Sequence, residues 1–396
     1  MERKPDISII IVNYRVKDYI SLLLHSIKKA EKDLRVEIII VDNNSQDDSI
    51  EYLSRNHDDI KFIQNIDNRG FSKANNQGLS QANGTYTLII NPDTILEENS
   101  LVCLKEFLDS NNNCGAAGFK VINPDGTFAR ECRRSIPDLK SAIFRVLSLD
   151  VLFPKSRFFG GRYLAWLDKS KITRVPVISG AGMFWKTSLL KSLNGFDEEF
   201  FMYGEDDDLC LRMKNSEKSI YYFPEAKMVH FKGESERDVS ISQIKKINEG
   251  LIKFFKKHYK VKYSHLSLKL ISLAFSFRVL GLYIKQTLIK KRSSKFNGSL
   301  PGVFIGDQVN LSLLNEKLGE DILLISPLEG INDIKEALFF NPKKKTDFSN
   351  IIFDTDTVPY HKAFEMMESL KNRGLNFYFL LSDERKIIGK SSVIDF

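Results

Sequence analysis

Ile7-Ser8-Ile9-Ile10-Ile11-Val12-Asn13-Tyr14 decides the architecture. The apolar run from 7 to 12 is too short for a helix, is rich in β-branched side chains, and stops at the polar pair Asn13-Tyr14. It describes a short buried strand. Runs of the same kind recur at 36–41, 60–63 and 86–90, while 17–29, 48–55 and 71–82 carry helical spacing. Strands alternating with helices predict an α/β fold, a mostly parallel sheet flanked by helices and joined by right-handed crossovers. In such sheets ligands bind beyond the carboxyl ends of the strands.

Those ends are polar in all four cases. The first gives Asn13-Tyr14, the second Asp42-Asn43-Asn44-Ser45, the third Asn65 to Gly70, and the fourth Asn91-Pro92-Asp93. Asn, Asp and Gly make turns, and that accounts for each loop singly. Four consecutive strands with the same polar edge point to a binding site there.

Further along, a helix is expected at 100–108 and a strand at 116–121. Residues 123–175 are irregular and rich in Arg, Phe and Leu. A strand interrupted by Gly180 and Gly182 follows, in which Phe184 and Trp185 are expected core. The acidic run Glu205-Asp206-Asp207-Asp208 opens a helix through Met213, and strands at 220–223 and 227–230 close the domain. The last hundred residues return to strand and helix alternation at 303–305, 322–325, 351–353 and 377–381 and form a smaller α/β domain. Its Gly302-Val-Phe-Ile-Gly306-Asp307 lacks the third glycine of a dinucleotide fingerprint. The expected division is 1–239, 240–298 and 299–396.

At 396 residues, with 42% hydrophobic and 28% charged residues, the chain has material for a globular protein of two or more domains. The four cysteines form no CxxC pair, which fits unpaired thiols in a reducing compartment and gives no zinc framework. Residues 1–6 lack the order of a secretory signal, so a cytoplasmic location is expected. The net charge of +7 is concentrated: residues 245–295 hold 14 Lys or Arg against one acid, Glu249. Within that stretch the window 266–284 is long enough to span a bilayer. Lys269 and Arg278 would each cost about 2.5 to 3.5 kcal/mol at its centre, so a helix lying on an anionic membrane surface is expected instead. Few interleaved aromatics and no nucleic-acid motif argue against nucleic acid.

Residues 7 to about 235 resemble the family 2 inverting glycosyltransferases of GT-A fold, most closely their bacterial rhamnosyltransferase-like branch. The matching segments are Ile11 to Tyr14, Val41 to Ser45, Asn68-Arg69-Gly70 with Asn75 and Asn76, Asn91 to Asp93, Ser179 to Gly182, Gly195 to Asp197, Glu205 to Arg212 and His230 to Gly233. What the resemblance implies is a nucleotide-sugar site at Asn13, Asp42, Asn44, Asn68, Arg69, Gly70, Asn75, Asn91, Asp93 and Gly180. Asp42 would accept the ring N–H of uracil or thymine. Gly70 would let the backbone approach a ligand, and Arg69 either pairs with phosphate or is a solvated charge. Asp93 would hold Mg²⁺ or Mn²⁺ on the diphosphate. Many relatives show Asp-x-Asp where this chain has Asn91-Pro92-Asp93, so a second protein ligand is open. His230 is one candidate, and a structural histidine is the alternative.

Inverting transfer is a direct displacement and needs a carboxylate to take the acceptor proton. The family's Glu-Asp motif assigns this to Asp206, with Glu205 binding acceptor hydroxyls, Asp208 paired with Arg212 one turn on, and Asp207 merely favoured by the helix dipole. The expected function is transfer of rhamnose or another hexose from a dTDP- or UDP-sugar to a lipid-linked or saccharide acceptor in surface polysaccharide synthesis, at the inner face of the membrane. The alternatives are a metal-dependent nucleotide-sugar hydrolase and a non-catalytic scaffold subunit.

Overall fold

In a computed structural model, residues 4–147, 149–214, 216–234, 241–259, 273, 302–318, 322–325 and 349–395 are described. The chain begins with β1 (Ile7–Asn13), α1 (Lys17–Glu31), β2 (Val36–Asp42), α2 (Ser49–Asn56), β3 (Lys61–Gln64), α3 (Gly70–Gln81), β4 (Tyr86–Ile90) and β5 (Thr94–Leu96). Next come α4 (Ser100–Ser110), β6 (Cys114–Ile122), β7 (Arg133–Arg134), α5 (Leu139–Val146), α6 (Leu149–Leu152), β8 (Thr173–Arg174), β9 (Val177–Ile178), β10 (Gly182–Lys186), α7 (Thr187–Ser192), α8 (Glu205–Met213), β11 (Ser219–His230) and α9 (Ile241–Tyr259). The remaining strands are β12 (Gly302–Ile305), β13 (Ile322–Ile325), β14 (Asn350–Asp354), β15 (Asn376–Leu381), β16 (Lys386–Gly389) and β17 (Ser392–Asp395).

The main sheet runs β3-β2-β1-β4-β10-β6-β11-β5, with β8 added alongside β11. Strands β1 to β4 are parallel, as the alternation predicts. Strand β10 enters antiparallel between β4 and β6. Helices on both faces of a parallel sheet explain why β1 is apolar at successive positions: Ile9, Ile10 and Ile11 are all fully buried. Phe184 and Trp185 are core, and the Phe184 ring stacks on Tyr86 at 5.2 Å.

The expected strands at 220–223 and 227–230 are one strand, β11, whose pairing with β6 shifts register between Phe223 and Lys227. The intervening Pro224 has no N–H to give a ladder, so the strand bulges instead of stopping. Residues 123–175 hold α5, α6 and two short strands that the irregular sequence did not signal.

The C-terminal strands form a second sheet, β13-β12-β14-β15-β16-β17, parallel as far as β15 and antiparallel thereafter. Between the two sheets lies α1. Its Ile20, Leu23, Leu24 and Ile27 belong to the main core, whereas Tyr19 and Leu22 join Phe231, Phe353, Phe364 and Phe379 in a second core. A helix sandwiched in this way is apolar on two sides, and the run from Tyr19 to Leu24 is buried at every position. Polar ties flank this core: Lys386 Nζ lies 2.6 Å from Asp18, and His25 Nδ1 lies 2.7 Å from the Tyr360 hydroxyl.

Of the basic stretch 245–295, the part up to Tyr259 lies in α9, which packs on the main domain. Phe255 sits against Ala142 and Leu139 of α5, and Lys257 reaches Asp197 and Asp208. Most of the expected membrane-surface helix, from 260 onward, lies outside the described residues. Among the described residues no helix is long and apolar enough to cross a membrane.

Candidate active site

One cleft of about 840 Å³ opens at the carboxyl edge of β1 and β4. Its floor is Val12, Tyr14, Asn43 and Asn91-Pro92-Asp93, and Asn68 and Gly70 border it at the start of α3. Ser179 to Ala181 meet this floor, the Ala181 carbonyl accepting the Asn91 N–H at 3.0 Å, and Gly204 to Asp207 line the cleft beside them. Residues of α5 and α9 close over it, and His230, Lys232 and Gly233 follow from the end of β11.

Sheet pairing explains how two distant segments meet at Asp93. Strand β5 pairs antiparallel with the end of β11, setting Thr94 opposite His230. The residue before β5 therefore stands beside the histidine, with Asp93 Oδ1 3.2 Å from His230 Nε2. The Phe231 N–H donates to the Asp93 carbonyl at 2.9 Å, and the Glu234 N–H reaches its carboxylate at 3.4 Å. Burial by itself would raise the Asp93 carboxyl, but the facing His230 and the Glu234 N–H hold it below the ordinary carboxylate range. Asn91 Nδ2 lies 3.3 Å from His230 Nε2, and Asn91 Oδ1 is buried without a protein partner.

A divalent cation on a diphosphate takes one or two protein ligands, the rest of its octahedron coming from phosphate and water. Asp93 and His230, side by side on the cleft wall, fit that requirement. No group of three or more His, Cys, Asp or Glu suited to a metal occurs among the described residues.

The acidic wall is organised by a small ribbon. Strand β7 pairs with β9, and β9 leads directly into Ser179 and Gly180. This puts Arg134 and the Gly180 N–H on one side of the Asp206 carboxylate: Oδ2 accepts from Gly180 at 3.0 Å and from Arg134 Nη2. Its Oδ1 accepts the Asp207 N–H at 2.8 Å. Burial would lower the Arg134 guanidinium, but Asp206 and Asp207 outweigh it and keep the group charged. Glu205 differs from its neighbour. Its carboxyl is buried, has an oxygen without a partner, and is pushed up to about 8 by burial and the adjoining Asp206. At neutral pH Glu205 is thus a neutral acid able to donate, while Asp206 is fixed by three donors.

Asp207 does more than favour the helix dipole. It holds buried Arg162 Nη2 with both oxygens, at 2.7 and 3.0 Å. Asp208 pairs with Arg212 at 2.8 Å as expected, and it also takes Lys257 at 2.6 Å and His258 at 2.7 Å from α9.

Asn68, Gly70, Asn91, Asp93, Gly180, Glu205, Asp206 and His230 all line the cleft; Asn13, Asp42, Asn44, Arg69 and Asn75 do not. The reasons are local. Asp42 Oδ1 accepts from Asn13 at 2.7 Å and Ser45 Oγ at 2.5 Å, and its Oδ2 takes the Ser45 N–H. Asn44 is a left-handed turn residue with φ 64°. Arg69 Nε is bonded to Asp67 at 2.9 Å, and Asn75 caps the Phe71 carbonyl within its own helix. The close approach that Gly70 permits is to protein: at φ 78° its missing Cβ would stand 2.6 Å from the Phe201 carbonyl, which accepts the Phe71 N–H. Sequence reasoning passed over Arg134, Arg162 and Asn43. The arginines sit in the irregular stretch, where only their abundance gave a signal.

Residues 8–169 match the model described as glycosyl transferase family 2, and residues 169–234 match that described as N-terminal domain of galactosyltransferase. Among curated proteins, the chain is 26% identical over 219 residues to the low-salt glycan biosynthesis hexosyltransferase Agl10 of Haloferax volcanii, covering 54% of this chain and 64% of that protein. It is 25% identical over 238 residues to rhamnosyltransferase WbbL of Escherichia coli, covering 56% and 82%. It is 23% identical over 238 residues to the N-acetylglucosaminyl-diphospho-decaprenol L-rhamnosyltransferase of Mycobacterium tuberculosis, covering 57% and 76%. Among solved structures, mannosyltransferase PcManGT of Pyrobaculum calidifontis aligns with a TM-score of 0.45 and 16% identity over 74% of this chain and 77% of that one. With its mostly parallel sheet and its cleft at the strand ends, the domain that begins at β1 is similar over residues 8–169 to glycosyl transferase family 2.

Proposed function

We propose that the protein is an inverting, metal-dependent glycosyltransferase. It moves rhamnose or another hexose from a dTDP- or UDP-sugar to a lipid-linked or saccharide acceptor during surface polysaccharide synthesis, at the inner face of the membrane. One observation carries this reading: a single cleft has a cation-suited pair, Asp93 and His230, on one side and the acids Glu205 and Asp206 on the other. Displacement at a sugar carbon needs both, a means of bearing charge on the leaving diphosphate and a group to receive the acceptor's proton.

Asp93 and His230 would hold Mg²⁺ or Mn²⁺, which supplies charge neutralisation to the leaving diphosphate. Asp206 would receive the acceptor hydroxyl's proton as that oxygen bonds to the sugar carbon and the carbon–diphosphate bond breaks. A carboxylate has about four acceptor sites. Three donors hold Asp206 in place, leaving one site for the acceptor. Glu205, neutral at pH 7, would donate to a second acceptor hydroxyl and orient the sugar.

The deciding experiment is a panel of nucleotide sugars with Mg²⁺ or Mn²⁺, following diphosphate release with and without acceptor. Release that depends on acceptor and yields a new glycoside supports the proposal. Release of free sugar at full rate without acceptor would make the protein a hydrolase, and silence with every donor would leave a binding subunit.

A further inference from the structure

We propose that α5, α6 and the loop to Phe159 form a membrane-contact surface that seats the protein on an anionic bilayer beside the cleft. Of the ten large apolar side chains exposed among the described residues, five fall between 143 and 158: Ile143, Leu147, Leu152, Phe153 and Phe158. Soluble surfaces scatter such side chains, and a cluster of them marks a contact surface. Leu152, at 68% exposure, and Phe153, at 51%, are adjacent and are followed by exposed Pro154 and Lys155. Beneath them Phe144, Phe153, Phe158 and Phe159 pack ring on ring, with centroids 5.0 to 5.4 Å apart. The tip is thus built by its own aromatic packing.

The charge around this tip identifies its occupant. Lys140, Lys155 and Arg157 are exposed on the same segment, and Lys140 Nζ stands 3.4 Å from the centroid of the Phe158 ring. Of the nearby acids Asp150 is buried, whereas Asp138 is exposed and accepts the Ser141 N–H at the start of α5. Aromatic and aliphatic side chains rimmed by Lys and Arg suit the boundary between acyl chains and anionic headgroups. Protein interfaces, by contrast, are depleted of lysine. The surface is continuous with the candidate active site, because Asp138, just before α5, and Ser141 and Ala142 within it line the cleft. A bilayer here would bring an acceptor carried on a lipid to the Glu205–Asp206 wall. That last step rests on the proposed function, whereas membrane binding does not.

The test is flotation of the full chain with vesicles of phosphatidylcholine alone and of equal parts phosphatidylcholine and phosphatidylglycerol. The wild type should float with the anionic vesicles and be released by salt. Leu152→Glu with Phe153→Glu, both at positions more than half exposed, should lower vesicle affinity about tenfold or more, with the melting temperature of each variant measured alongside. Lys155→Glu with Arg157→Glu should abolish the preference for anionic lipid. Donor-dependent diphosphate release should be unchanged in both variants, so failure of the membrane proposal is separable from failure of the transferase reading. Flotation of the Leu152/Phe153 variant equal to wild type overturns the proposal. So does a wild type that ignores vesicles but self-associates through these residues.

Discussion

Glu205 and Asp206 are neighbours in sequence with opposite surroundings, and the roles proposed for them differ accordingly. Three donors hold the Asp206 carboxylate in one orientation. Replacing it by asparagine keeps shape but removes the proton acceptor, so Asp206→Asn should lower transfer by about 10² to 10⁴-fold and spare nucleotide binding. Rate measurements beside calorimetric titration of the nucleotide check this, and equal loss of both would remove Asp206 from the chemistry. Glu205 carries a pH signature. An ordinary Glu ionises near 4.5, whereas burial and Asp206 push this one to about 8. Between those values the folded state binds more protons than the unfolded state, so stability contributed by neutral Glu205 declines as pH rises through that window. Glu205→Gln should flatten the fall in Tm from pH 5 to 9. Parallel melting curves for the two proteins would contradict the buried, neutral state.

At the scale of elements, α8 is placed by α9. Gly204 caps α8 at φ 91°, a conformation open to glycine, and its missing Cβ would stand 3.1 Å from the Gly250 carbonyl. A Cβ on Gly250 would lie 2.1 Å from the Tyr203 carbonyl. The two backbones touch there, and Lys257 and His258 then reach Asp208 one turn into α8. Gly250→Ala must push α9 away from the acidic turn. It should cost about 1 to 3 kcal/mol, measurable by urea unfolding, and weaken acceptor turnover more than nucleotide binding. An unchanged unfolding midpoint would mean that this contact is easily relaxed. Boundaries of most elements were legible in the sequence within a few residues. The hairpin β16–β17 was not, because its short strands are split by Gly389-Lys390-Ser391, which reads as a polar loop.

For the whole molecule, the C-terminal sheet is a structural partner of the catalytic domain. Val16, Tyr19, Leu22, Ile95, Ile122, Val229 and Phe231 share one core with it. The contact reaches the site: the Ser391 N–H donates to Glu234 at 2.9 Å, Tyr19 donates its hydroxyl between Glu234 and the Gly389 carbonyl, and the Glu234 N–H meets Asp93. Removing residues 299–396 should bare this apolar face, since each large side chain exposed forfeits about 1.5 to 3 kcal/mol. The expected result is a poorly soluble protein with weakened metal-dependent donor binding. A truncated chain as soluble and as tight for donor as the intact one would show the second sheet to be dispensable.

The sequence alone determined the parallel sheet, the edge where the cleft lies, the core position of Trp185 and the Asp208–Arg212 pair. Each follows from local spacing: apolar period, turn residues at strand ends, or charges one helical turn apart. It placed Asp93, Asp206 and His230 among the candidates through their resemblance to the motifs of the family 2 glycosyltransferases. Only the tertiary structure decided that Asp42 turns to Asn13 and Ser45, that Arg134 and Arg162 hold the acidic wall, and that α1 is gripped between two sheets. Ser45 apart, those outcomes depend on groups brought together from dozens to hundreds of residues apart, where sequence spacing fixes no distance and only packing decides which partner a buried polar group meets.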